Sequence, residues 1–274
     1  MTVLYNADYR CSVSERARDF YGVTTVVERI QDGHPEANDR AMFSGQIPHG
    51  VQFTSPERRR MLTTYYGPAT GVGRTLMWIR QLPNARVGLI GLGAGTLANY
   101  AEPGQHYRFY EINPAVERLA RRHFWSLADC RGEVEVVLGD ARLSLERESP
   151  NRFSALVLDA FSGDAIPTHL LTAEAFAIYR KHLTRDGVIA VHISNGYLNL
   201  QPVVQGVAQA YDFGMVRIST RGDDSKTTYH ADWMLLSQDA RFLLAQAGAG
   251  QPETASARSI LWTDDFSDLF SILK

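Results

Sequence analysis

The sequence predicts an α/β protein. Its centre is a seven-stranded, mostly parallel sheet with helices on both faces, preceded by a small antiparallel N-terminal β-domain. Three observations carry this. From residue 86 onward, short continuous apolar runs alternate with helical stretches, as strands buried on both faces alternate with their crossover helices. The first of these runs ends in Gly91-Leu92-Gly93-Ala94-Gly95-Thr96, a glycine turn between strand and helix. Ahead of residue 66, β-branched and aromatic segments are separated by turn residues instead.

In chain order, residues 20–28 read as a strand, Gly33 and Pro35 as a turn, and residues 40–44 and 50–53 as returning strands. Together they make the antiparallel unit, assigned to residues 1–70, with the larger domain over 71–274. Parallel strands follow at 87–90, 107–110, 134–138, 155–158 and 188–193, with helices among them at 115–124 and 173–182. Residues 215–218 and 233–236 complete the seven as a closing antiparallel pair. After residue 238 the chain reads as a helix and a polar tail, and no internal repeat is evident. Such a Rossmann-like sheet binds ligands beyond the carboxyl ends of its strands.

At 274 residues the chain suits one large α/β domain with a small appendage. With 28 Lys and Arg against 30 Asp and Glu, no strong field draws nucleic acid or an anionic membrane. The two cysteines, Cys11 and Cys130, have neither metal-ligand spacing nor a disulfide pattern, and no metal is expected. The first residues lack a basic segment followed by an apolar run, and nothing reaches membrane-span length, so a cytoplasmic protein is expected.

The strand ends carry the chemistry. Gly91, Gly93 and Gly95 allow a tight turn and close approach of backbone to a ligand. Glu111, about twenty residues on, ends the next strand, where a carboxylate accepts two hydrogen bonds from a ribose diol. Asp140 and Ala141 end the third, where a carboxylate accepts from an adenine amino group and a backbone amide donates to a ring nitrogen. The spacing Gly-x-Gly-x-Gly, without the third glycine of the pyrophosphate fingerprint, favours a sulfonium nucleoside and leaves NAD as the alternative. Asp159 ends the fourth strand, with Asp164 on the loop beyond; two carboxylates there hold and deprotonate an amine or stabilise a sulfonium. Upstream, Gln52 is a candidate to orient the donor's reactive chain, and Tyr65 to hydrogen-bond the attacking group or Asp159. His192, at the end of the fifth strand, reads as a core or edge histidine on the acceptor side.

These residues resemble the spermidine synthase family of aminopropyltransferases, on a class I S-adenosylmethionine-dependent methyltransferase fold. The nearer likeness is to the spermidine-synthase-like domains found alone or fused to membrane transporters in bacteria. The likeness runs from about residue 20 to 236. It implies that Gly50-Val51-Gln52 corresponds to the family's Gly-Val-Val-Gln, whose glutamine contacts the donor's transferable chain. It implies that Tyr65 and Tyr66 fall on its Tyr-His, Glu111 on its ribose acid and Asp140-Ala141 on its adenine pair. Asp159 falls on the first aspartate of its Asp-x-x-Asp, the amine-activating base, and Tyr229 and Trp233 fall in the acceptor-lining segment. The implied donor is S-adenosylmethionine or its decarboxylated form, the acceptor a small amine or amino acid, the product 5′-methylthioadenosine and the assembly a homodimer. Two departures stand out. Ala94 replaces the aspartate of the family's glycine loop, which removes a like-charge penalty against a donor carboxylate. Asp159 and Asp164 have four residues between them where the family has two. The alternatives are cyclisation of S-adenosylmethionine, methyl transfer and a non-catalytic nucleoside-binding module.

Overall fold

A computed structural model of the chain describes residues 9–161, 167–223, 228–248, 251–252 and 259–274. Four strands, β1 (Tyr9–Asp19), β2 (Gly22–Gln31), β3 (Asp39–Ser44) and β4 (Ile47–Phe53), form an antiparallel sheet in sequential order. The sequence suggests a strand over 20–28, but Phe20 and Tyr21 form the β1–β2 turn, before Gly22 at φ +122°. The missed strand is β1. It lies at the sheet edge with most of its residues exposed, so no apolar alternation marks it.

The larger sheet contains β5 (Arg86–Ile90), β6 (His106–Glu111), β7 (Glu133–Leu138), β8 (Phe153–Leu158), β9 (Leu183–His192), β10 (Gly214–Thr220) and β11 (Ala231–Ser237). A two-residue edge strand, β12 (Gln251–Pro252), adds an eighth. The order is β12-β10-β11-β9-β8-β5-β6-β7. Strands β5 to β9 pair in parallel, and β10 to β12 pair antiparallel at the far edge. The chain therefore reverses direction across the sheet at β5, with β6 on one side and β8 on the other, which is where such sheets bind ligands.

Strand residues alternate between two cores. Val87, Leu89, Ala155, Val157 and Ala190 face α1 (Gly71–Ile79), α2 (Pro114–His123) and α6 (Ala240–Ala247). Ile90, Leu156, Leu158, Ile189 and Val191 face α3 (Ala141–Arg147), α4 (Ala173–His182) and α5 (Gln201–Ala210). After β5 the expected crossover helix shrinks to a 3-10 segment, Thr96–Tyr100. Pro103 stands just beyond and disfavours helical backbone at Glu102. Among the described residues, no helix is long and apolar enough to cross a membrane.

The C-terminal residues are part of the core and not simply a polar tail. Trp262 is fully buried among α4 and α5, and its carbonyl accepts from Ala173 N–H at 2.8 Å. Trp262→Ala empties a large buried volume and should lower unfolding free energy by about 3–5 kcal/mol, read by urea denaturation.

Candidate active site

The carboxyl ends of β5, β6, β7 and β8 open onto one crevice of about 890 Å³, continuous with solvent. The N-terminal sheet roofs it through Thr24, Met42, Ser44 and His49. Its geometry begins with the glycine turn, where Gly91, Gly93 and Gly95 take φ of 101°, 52° and 76°. The protein's own backbone requires the first two. A Cβ on Gly91 would stand 2.5 Å from the Asp159 carbonyl oxygen, and one on Gly93 would stand 2.4 Å from that of His49. Ala94 N–H donates to the His49 carbonyl at 3.2 Å, so the β4 strand is clamped onto the turn. The Ala94 side chain is buried against Gly50, where no carboxylate would fit.

Glu111 is buried at the end of β6. Its Oε2 accepts from Leu92 N–H at 3.0 Å and its Oε1 from Asn113 N–H at 2.8 Å. Burial pushes its carboxyl up, and the backbone amides of Asn113, Leu92 and Ile112 offset part of that. Each oxygen keeps a lone pair for a further donor from the crevice. Asp140 caps α3 through Leu143 N–H at 2.9 Å, while its other oxygen meets His169 Nε2 at 2.8 Å. Asp140, Ala141 and His169 line the same end of the crevice.

Asp159 sits one residue beyond β8. Its Oδ2 accepts from the Tyr66 hydroxyl at 2.7 Å, and its Oδ1 lies 2.6 Å from His192 Nδ1. Burial, with Asp159 alongside, pushes the Tyr66 phenol well above its ordinary range, so it remains a donor. His192 Nε2 lies 2.9 Å from Ser194 Oγ, which itself accepts from Asp232 N–H at 2.8 Å. A carboxylate can only accept, so the imidazole directs an N–H from Nδ1 at Asp159. The imidazole stacks on Trp233, with centroids 4.4 Å apart and planes 4° apart, which fixes its angle. Tyr100 O–H donates to the Tyr66 carbonyl at 2.6 Å and anchors that side.

The sequence-derived residues divide accordingly. Gly91, Gly93, Glu111, Asp140, Ala141 and Asp159 line the crevice. Gly95 packs behind it on Leu127. Asp159 accepts from the Tyr66 hydroxyl, and the neighbouring Tyr65 ring packs against His192 at 5.3 Å and Tyr229 at 5.5 Å. Gln52 does not line the crevice. Its amide donates to Arg59 O and Ser126 Oγ, both at 2.9 Å, and accepts from Trp125 N–H at 2.8 Å. Asp164 lies outside the described residues.

Two residues that sequence reasoning did not assign to the site join it. His192 carried a signal in its position at a strand end. His49 carried little beyond its place beside Gly50. It is half-buried in the crevice wall, with Nε2 closed to solvent and without a hydrogen-bond partner. Burial lowers its pKa below the ordinary histidine range, and His192 adds to this while Asp159 opposes it.

No protein-family model matches the chain. It is similar to the polyamine aminopropyltransferase of Vibrio vulnificus, 33% identical over 154 residues, covering 54% of this chain and 49% of that protein. It is also similar to an N-terminal histidine N-methyltransferase of Emericella nidulans, 27% identical over 182 residues, covering 62% of this chain and 32% of that protein. The chain thus matches half or less of the length of these curated relatives. The crystal structure of a probable spermidine synthase from Corynebacterium glutamicum superposes with a TM-score of 0.65 at 16% identity, covering 94% of this chain and 98% of that one. At that identity the likeness establishes the fold.

Gln52→Ala strands three polar groups, the buried Ser126 hydroxyl among them, and should cost about 1–3 kcal/mol of stability by denaturant titration, with ligand affinity retained. His49 should titrate below about 6.5 in the free protein, measured by imidazole NMR. Its folded-state value lies below the unfolded one. Its contribution to stability is therefore whole above about pH 6.5 and is lost as pH falls through the depressed value.

Proposed function

From a chain that is spermidine synthase-like and carries the S-adenosylmethionine-dependent methyltransferase fold, we propose a transferase that moves an alkyl group, of the aminopropyl type, from an adenosyl sulfonium donor to a small amine, releasing 5′-methylthioadenosine. The observation that carries this reading is the alignment of Glu111, Asp140-Ala141 and Asp159 along one crevice at consecutive strand ends.

The free lone pairs of Glu111 suit the ribose hydroxyls. Asp140, exchanging His169 for the nucleobase, suits the adenine amino group. With the nucleoside so held, the donor's sulfur points toward Asp159. The acceptor nitrogen attacks the carbon bound to sulfur, that C–S bond breaks, and its electron pair leaves with the now neutral thioether. The proton lost by the acceptor nitrogen goes to Asp159, whose two oxygens are oriented by Tyr66 and His192. The N-terminal sheet covers one side of the crevice, and positioning supplies most of the acceleration.

Methyl transfer is the second reading, favoured by the sequence likeness to the Emericella nidulans methyltransferase. Incubation with S-adenosylmethionine, its decarboxylated form and an amine panel separates the two. Methylthioadenosine among the products supports alkyl transfer, and S-adenosylhomocysteine in its place supports methyl transfer. Asp159→Asn should lower kcat by about 10²–10⁴-fold while methylthioadenosine affinity stays within a few-fold. Unchanged turnover would remove Asp159 from the role of base.

A further inference from the structure

We infer that the tip of the β1–β2 hairpin belongs to the nucleoside site: Tyr21 covers the ribose at the Glu111 end of the crevice, and Asp19 and Asn113 are the positioning residues that hold it there. This rests on the adenosyl reading above and deepens it.

The turn departs from its own local preferences. Asp19 pairs with Gly22, so the tip consists of Phe20 and Tyr21 alone. A two-residue hairpin loop is ordinarily closed by glycine, asparagine or aspartate in a primed turn, and neither aromatic residue here takes positive φ. Phe20 is 95% exposed and Tyr21 40%. Two large rings, edge to face with centroids 5.4 Å apart, thus stand where small polar turn residues belong and where the fold buries them little. A sequence that breaks a local rule without a gain in packing marks a functional or strained site.

The tip is also tied to the carboxylate whose lone pairs suit the ribose. Asp19 Oδ1 accepts from Tyr21 N–H at 2.9 Å, which shapes the turn, and from Asn113 Nδ2 at 3.3 Å. The Asn113 N–H donates to Glu111 Oε1 at 2.8 Å, and its side-chain oxygen accepts from Ala115 N–H at 2.8 Å, which fixes it at the start of α2. Two hydrogen bonds therefore link the turn to Glu111 through one asparagine. Tyr21 lines the crevice together with Glu111, Ile112, Asn113 and Val116, whereas Phe20 does not line it. A ribose held by Glu111 is met by Ile112 and Val116 from the large sheet and by Tyr21 from the small one. An aromatic ring with few rotamers covers the carbon side of a sugar, and that burial supplies affinity to the nucleoside as a whole.

The test is calorimetric titration of the full chain and its variants with 5′-methylthioadenosine, and with adenine, which lacks the ribose, by competition. Tyr21→Ala should weaken methylthioadenosine about ten-fold and leave adenine within about three-fold of wild type. Tyr21→Phe, which keeps the ring, and Phe20→Ala, which removes the neighbouring one, should each stay within about three-fold for both ligands. Asp19→Ala should reproduce most of the Tyr21→Ala loss. Asp19→Asn, whose amide oxygen accepts the same two N–H groups, should restore it. Unchanged methylthioadenosine affinity in Tyr21→Ala overturns the inference. So does an equal loss for both ligands, or a loss in Phe20→Ala as large as in Tyr21→Ala. An Asp19→Asn chain as weak as Asp19→Ala overturns the positioning role. If wild type and Tyr21→Ala bind methylthioadenosine equally, only the ribose cover fails. If wild type does not bind it, the adenosyl reading fails with it.

Discussion

The site depends on a close approach of three backbones that only glycine allows. The glycine turn lies against the end of β8 on one side and against β4 on the other, with Gly91 facing the Asp159 carbonyl and Gly93 the His49 carbonyl. Any side chain at either position would meet a carbonyl oxygen at well under contact distance. The reciprocal contact, Gly50 on Ala94, presses the roof down from above. Asp159 and His49 thereby become walls of one crevice although they lie on different sheets.

The second constraint is electrostatic. Asp159 is nearly buried, and a carboxylate in that setting is tolerable because both oxygens accept hydrogen bonds. Neither partner is adjustable. Tyr66 is pinned by Tyr100, and His192 is held between the Trp233 face and Ser194. A base whose direction is fixed in this way has its geometry set before any ligand arrives, which is where much of the benefit of a folded site lies. The rings of Tyr65 and Phe161 complete the packing around the imidazole, and Tyr229 packs on Tyr65.

Much of this was legible in the sequence because parallel strands announce themselves as continuous apolar runs, and the residue after each run falls at the ligand-binding edge. Glu111, Asp140 and Asp159 were singled out that way, and all three line the crevice. The surroundings of Gln52 and Tyr65 were not legible in this way, because they are set by residues distant along the chain, Ser126 for the one and His192 and Tyr229 for the other. Trp262 was overlooked because the run Ile260-Leu261-Trp262 is too short to show a period, although the fold buries the tryptophan completely.

By itself, the sequence determined the α/β class, the two sheets, the glycine turn and the acidic strand ends, since each is written in local pattern and in chain spacing. Only the tertiary structure decided which tyrosine reaches Asp159, that His192 aligns it, and that Gln52 serves the fold while His49 faces the crevice. Those outcomes depend on distances between segments from 33 to 93 residues apart along the chain, set by packing and by hydrogen bonds that no local pattern encodes.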